Sequence, residues 1–356
     1  MSANIIFKCP SCGSSLTYQP GQDSLQCPYC GNTVSGAEMK ELAAKLQEQA
    51  APASGEAQQA PQSEQAHYRS YHCQMCGAEI VTDETTAATS CYYCHSPVVL
   101  SDRLSGEFLP DGVIPFQLDH QRAEEAFSRY LKSHHFVDRR FFSKEQRERL
   151  SGVYYPYWLG DFEGEGQLDG TGSTSSVSHQ GQYIVTTTDH FKVHREGKLR
   201  FSNMVRKALA KQDRLLSDGI HPYELNRIEP FSSAYLSGFL AEKRDVPQEE
   251  AQQDMIKEAQ NYVPTLMKQN SRFADLNGNV SGRLSGRLRY VLLPAWVLTY
   301  RAAASSKGEP FFYLMNGQSG RVCGKLPVAR GKLTLWCLGL ASLVTGLLCL
   351  GGAMLW

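Results

Sequence analysis

Eight of the eleven cysteines fall within the first 94 residues as four C-x2-C pairs, and no other feature constrains the fold of this chain so strongly. Cys9 and Cys12 are followed, after fourteen residues, by Cys27 and Cys30. Cys73 and Cys76 are followed, after the same fourteen, by Cys91 and Cys94. Every position shifts by 64. Gly13 matches Gly77, Tyr29 matches Tyr93 and Val34 matches Val98, so the repeat extends beyond the cysteines and reads as an internal duplication. A C-x2-C turn brings two thiolates within reach of one ion, and Gly13, Gly31 and Gly77 follow as the residues that let a knuckle turn back. The fourteen residues between knuckles suffice for a short hairpin that returns the second pair opposite the first.

Four thiolates in a tetrahedron fit Zn2+, which predicts two structural zinc ions, one on Cys9, Cys12, Cys27 and Cys30, the other on Cys73, Cys76, Cys91 and Cys94. Iron in a rubredoxin-like site uses similar knuckles and stays open as the alternative. Disulfides would need an oxidising compartment. A thioredoxin-like pair would be single and set in a βαβ unit. With every ligand position taken by sulfur, no coordination site is left for water or substrate, and units this small need the metal to fold.

Charge divides the chain into three. Its 36 basic and 36 acidic side chains cancel overall, but residues 1–100 carry four basic against nine acidic, 101–332 carry 32 against 27, and 333–356 carry none. The uncharged tail of 24 residues would form a helix about 36 Å long, enough to span a ~30 Å hydrocarbon core, with Trp336 and Trp356 near its ends. Between 276 and 332 there are nine basic residues against the single acid Glu309, and Arg321, Lys325, Arg330 and Lys332 lie closest to the tail. By the positive-inside rule that side faces the cytoplasm. The N-terminal segment has no charged region followed by an apolar stretch, so no signal peptide is predicted. The expectation is a single-pass protein of the cell (inner) membrane with its bulk in the cytoplasm and its basic flank near lipid.

Neither ribbon has a basic stripe: the first has Lys8 against Asp23, the second Arg69 against Glu79, Asp83 and Glu84. Phosphate binding draws on excess cations, which disfavours nucleic acid. Tyr18, Tyr29, Tyr92 and Tyr93 read as exposed aromatics, and Tyr29, Tyr92 and Tyr93 as the expected protein contacts on the ribbon faces. Residues 38–50 are rich in helix formers, and 51–66 turn to Ala, Gln, Pro and Ser, a flexible linker that would let the ribbons move independently.

Farther on, 118–136 reads as an amphipathic helix with Asp119 near its start, 152–201 as β-structure, 203–216 and 247–267 as helical with Pro264 bending or ending the latter. Residues 273–300 alternate, and 311–326 carry Asn316-Gly317 at a hairpin turn. The fold class expected is α+β: zinc ribbon 1 over 1–35, a short helix and linker over 36–66, zinc ribbon 2 over 67–100, a larger antiparallel β-rich α+β domain over 101–332, and one C-terminal transmembrane helix over 333–356. None of the thirty glycines begins a G-x4-G-K-[ST] phosphate loop, so no motor is predicted. The Gly-rich 164–173 reads as a loop. His190 and His194 lack a further ligand in the sequence around them, Asp161, Glu163 and Glu165 read as a solvated edge, and Cys323 has no obvious partner.

The blocks GVYYPYWL (152–159), IEPFSSAYLSGFLAEKRDVP (228–247), YVLLPAWVLTY (290–300) and FFYLMNGQSGRVCGKLP (311–327) resemble those of bacterial membrane-anchored zinc-ribbon proteins. These are described as transcription-factor-IIB-type zinc-ribbon proteins and mislabelled as replication-restart helicase-like. The resemblance covers most of the chain and transfers no catalytic residue. It implies a cytoplasmic ribbon module, a β-rich domain and an anchor, in proteins found beside phage-shock-protein-A-like and band-7 (SPFH) membrane-stress proteins. The function expected is therefore non-enzymatic: an adaptor that recruits or scaffolds cytoplasmic proteins at the membrane. The alternative is a membrane-tethered protein that binds nucleic acid or a transcription complex.

Overall fold

A computed structural model describes residues 4–50, 68–134, 136, 150–273, 275–300, 311–324 and 330–354. The architecture is mixed α+β, organised on one large sheet of eleven strands among the described residues. Its spine is a pair of long antiparallel strands, Ser151–Gln180 and Tyr183–Lys207, joined by a two-residue turn with Gly181 at positive φ. A third long strand, Asn277–Tyr300, lies antiparallel on the other side of the first, in register from Ser151 opposite Val297 to Thr171 opposite Asn277. At ~3.3 Å per residue, 30 residues of Ser151–Gln180 extend on the order of 100 Å, so the sheet is an arm as well as a core.

The Gly-rich 164–173, expected to be a loop, is the middle of that strand. Gly166 stands opposite Gly282, and a Cβ on either would press into the helix Gln248–Lys268, at Met267 and Val263 respectively. The glycines are there so that the helix can lie close on the sheet. That helix buries Ala251, Met255, Ala259, Val263 and Met267, one every fourth residue, and it continues past Pro264 to Lys268. The helix expected over 203–216 is instead strand up to Lys207, followed by a short helix at Arg214–Gly219. His120–Lys132 is capped by the Asp119 carboxylate, which accepts from the Arg122 N–H at 2.7 Å. The hairpin of Phe311–Asn316 and Val322–Gly324 forms as expected around Asn316-Gly317.

Strands from both ribbons pair into the same sheet, while Tyr68–His72 and Glu79–Asp83 of the second form a two-stranded sheet of their own. Asn4–Ile5, from the first ribbon, pairs with Pro97–Leu100 of the second. Pro97–Leu100 pairs with Thr86–Ser90, which pairs with Leu240–Glu242, and Leu240–Glu242 runs parallel to the start of Ser151–Gln180. Gly112–Val113 also pairs parallel, with Asn277–Tyr300, so the larger region is not wholly antiparallel as expected. Ribbon 1 adds its own small sheet (Thr17–Gln19, Ser24–Gln26, Thr33–Val34) and buries Phe7, Leu16, Tyr18 and Leu25 in one cluster with Tyr154, Tyr235, Phe239 and Trp296. Phe116 stacks on Phe239 at 4.3 Å between ring centroids, and Tyr18 meets Tyr235 edge-on at 5.3 Å. Tyr18, expected to be exposed, is a core residue. The helix Gly36–Ala50 starts after Ser35, whose N–H and hydroxyl both donate to the Glu38 carboxylate, and buries Met39 and Ala43 against the same cluster. The linker expected over 51–66 lies outside the described residues. Whatever its conformation, the ribbons are joined by strand pairing that does not depend on it, and independent movement of the two is not what this packing gives.

The C-terminal helix runs over Arg330–Met354, and its described side chains, including Leu335, Trp336, Leu338, Leu343 and Leu348, stand exposed. Among the described residues no helix is long and apolar enough to cross a membrane. The transmembrane helix expected over 333–356 is not supported by them.

Candidate metal centres

Each knuckle is built the same way. The N–H of the first cysteine donates to the carbonyl five residues on (Cys9 to Ser14, Cys27 to Asn32, Cys73 to Ala78, Cys91 to Ser96), and the residue after the second cysteine donates back to the first cysteine's carbonyl at 2.8–3.0 Å. That returning residue must take a left-handed backbone. Gly13, Gly31 and Gly77 have φ of +72°, +74° and +76°, and the fourth position is His95 at +57°. Three of the four are glycines recognisable from the spacing. The 64-residue repeat aligns His95 with Gly31, and that register was the signal for the fourth.

The knuckles bring the eight cysteines into two groups in which the four Sγ atoms lie within 4.8 Å of one another. Cys9–Cys30 and Cys12–Cys27 are separated by 3.6 and 3.5 Å, and Cys73–Cys94 and Cys76–Cys91 by 3.7 Å each. A tetrahedron with metal–sulfur bonds of ~2.3 Å has sulfurs about 3.8 Å apart, close to these separations, so each group could hold one ion. In every pair the first cysteine is buried and the second exposed. The Asn32 side-chain amide donates to Cys9 Sγ at 3.8 Å, and Cys94 Sγ donates to the Ser96 hydroxyl at 3.4 Å, contacts that spacing alone did not reveal. Both groups are four-sulfur and leave no protein ligand position open.

The second site is tied to the rest of the protein by ionic groups. Arg103, buried, donates to the Tyr71 hydroxyl at 2.7 Å and to the carbonyls of Asp83 and Glu84. Lys211 reaches across from the β-rich region to Asp83 at 3.0 Å, to the Thr85 hydroxyl at 2.7 Å and to Glu242 at 3.1 Å. Burial works against ionisation of Asp83, but Lys211 and the Thr86 hydroxyl and N–H outweigh it and hold the carboxyl well below the usual range.

Tyr29, Tyr92 and Tyr93 stand on the knuckles at 84%, 70% and 74% exposure. Among the lipid-side cations, Arg321 and Lys332 are exposed, Arg330 opens the C-terminal helix and Lys325 lies outside the described residues. Acids do approach His194: Asp169 at 2.5 Å and Glu196 at 3.1 Å, whose hydrogen bonds push its pKa above the ordinary histidine value. The acids Asp161, Glu163 and Glu165 form the middle of a charge ladder. Glu163 pairs with Arg200 at 3.0 Å, Arg289 lies 3.9 Å from Asp161, and Glu165 is registered between Lys198 and Arg283. Cys323 is half-buried beside the Leu215 carbonyl. Among the described residues no further group of His, Cys, Asp or Glu side chains could hold a metal.

The fold and these sites define an α+β protein with two four-cysteine groups, each able to hold a metal ion and each tied by strands of its ribbon to the large sheet. The uncharacterized protein YdjG of Bacillus subtilis (strain 168) is 30% identical to this chain over 354 residues, covering 95% of this chain and 94% of YdjG, and the chain belongs to the family of that protein. No protein-family profile matches the chain. No solved structure matches it.

Proposed function

We propose that this protein is a non-enzymatic zinc-ribbon adaptor that recruits or scaffolds cytoplasmic proteins at the inner face of the cell membrane, with two structural Zn2+ ions and a single transmembrane helix over 333–356. The observation that carries the reading is the exposure of Tyr29, Tyr92 and Tyr93 on knuckles whose metal groups have no open ligand position. Amphipathic rings held on a metal-stiffened turn make contact area at little entropy cost. Zinc is favoured by four cysteine ligands with no other donor type. The anchor is supported by the uncharged apolar tail and by the exposed leucines of Arg330–Met354, with Arg321, Lys325, Arg330 and Lys332 on the side that would meet anionic lipid. The partner fits the phage-shock-protein-A-like or SPFH class that the resemblance implies.

The test is affinity capture of the full chain from detergent-solubilised membranes. The wild type should retain a defined cytoplasmic protein that a Tyr29→Ala, Tyr92→Ala, Tyr93→Ala variant loses while keeping its metal. A salt-dependent shift of DNA or RNA that the same variant loses would replace this reading with the nucleic-acid one. Deleting 333–356 should release the chain to the soluble fraction; continued sedimentation with membranes at high salt would contradict the anchor.

A further inference from the structure

The arm formed by the long strands changes character near its end. The third strand stops at Asn277, opposite Thr171, and the covering helix gives out beside Phe273, which packs on Phe191 at 5.4 Å. Beyond that point the sheet is a two-stranded hairpin in which residues 175–191 are all exposed. Its outer strand, Tyr183–Lys207, pairs only with Ser151–Gln180 among the described residues, so a full row of N–H and C=O groups faces outward. An isolated two-stranded ribbon is marginal in water, and an open edge is a template for another strand.

Along the base of the arm that edge is blunted. Asp189, Lys192, Arg195, Glu196, Lys198 and Arg200 place charge throughout it, and an added strand would have to desolvate them. At the tip the blunting is absent. Residues 173–188 contain no Asp, Glu, Lys or Arg, and Tyr183, Ile184, Val185, Thr186, Thr187 and Thr188 are all strand formers. Register places Val185 opposite Ser178 and Ile184 opposite His179, so both faces of the tip expose an apolar side chain that no other strand covers.

We propose that the tip is a self-association element: the outer edge of 183–188 pairs antiparallel with the same edge of a second copy, joining two hairpins into a four-stranded sheet. A strand paired with itself about a two-fold axis presents matching donors and acceptors without any further complementarity. With no charge in 173–188, like facing like carries no repulsion, and the charges from Asp189 inward confine the pairing to the tip. This inference does not depend on the adaptor reading.

The test uses the full chain in mild detergent, with mass by light scattering across a dilution series and amide hydrogen exchange on the same samples. The wild type should be a dimer that dissociates on dilution, with the amides of 183–188 slowed only in the concentrated samples. An Ile184→Lys, Val185→Lys variant should stay monomeric throughout while binding the same amount of metal, which shows that it is folded. A monomeric wild type, a dimer that survives the variant, or protection of 183–188 that appears only with phospholipid vesicles would each overturn the proposal.

Discussion

Asn4 stands opposite Leu100 in the shared sheet, and its side-chain amide donates to the His72 carbonyl at 2.7 Å, one residue before Cys73. The Gln74 side chain returns a hydrogen bond to the Asn4 carbonyl, also at 2.7 Å. The strand that enters the first metal site is thus bonded to the first knuckle of the second.

Coupled metal sites follow from this. Replacing Cys27→Ser should abolish the first site and also weaken the second, because the core of ribbon 1 continues into Val99 and Ala88 beside the second. A structural metal contributes on the order of 10 kcal/mol of apparent folding energy, so the loss should lower the whole thermal transition rather than produce a separate early one. Calorimetry with metal analysis reads this. A second site of unchanged affinity in a protein with an unchanged main transition would show that the ribbons are independent after all.

The four knuckles predict opposite responses to substitution. Gly77→Ala puts a Cβ on a left-handed backbone and should destabilise by about 1–2 kcal/mol, while His95→Gly relieves the same strain and should stabilise or be neutral. Denaturant midpoints of the two variants, each with metal bound, measure the difference.

Lys211 joins the second ribbon to the β-rich region through Asp83 and Glu242. Because the Asp83 carboxyl is held low in the folded protein, its contribution is complete above the unfolded value of about 4 and fades as pH falls through the lower folded value. Lys211→Met should lower stability at neutral pH and flatten its decline between pH 5 and the acid limit, read from denaturation at a series of pH values. All three side chains are partly exposed or at the surface, so the effect should be modest and salt-sensitive.

Features governed by short-range rules were readable from residues alone. The knuckles, the Asp119 cap, the Asn316-Gly317 hairpin and the helix ending near Lys268 each depend on a few neighbours in sequence. What was missed depends on contacts distant in sequence. Glycines 164–172 look like a loop until Gly282 and the Met267 side chain are placed against them. Tyr18 looks like a surface ring until Tyr235, more than two hundred residues later, closes over it. The ribbons look separable because 51–66 resembles a linker, while Asn4–Ile5 pairing with Pro97–Leu100 fixes them together by a strand too short to register as a pattern. The closer of the two acids at His194, Asp169, comes from across the ladder, a pairing set by the register of a thirty-residue strand.

Whether both four-cysteine groups hold a structural metal that supports the shared sheet is tested most directly by native mass spectrometry of the intact chain with elemental analysis of the same sample. Two zinc ions per chain are expected, falling with chelation together with loss of the folded transition. One metal per chain, iron in place of zinc, or a chain that keeps its fold when both ions are removed would contradict it.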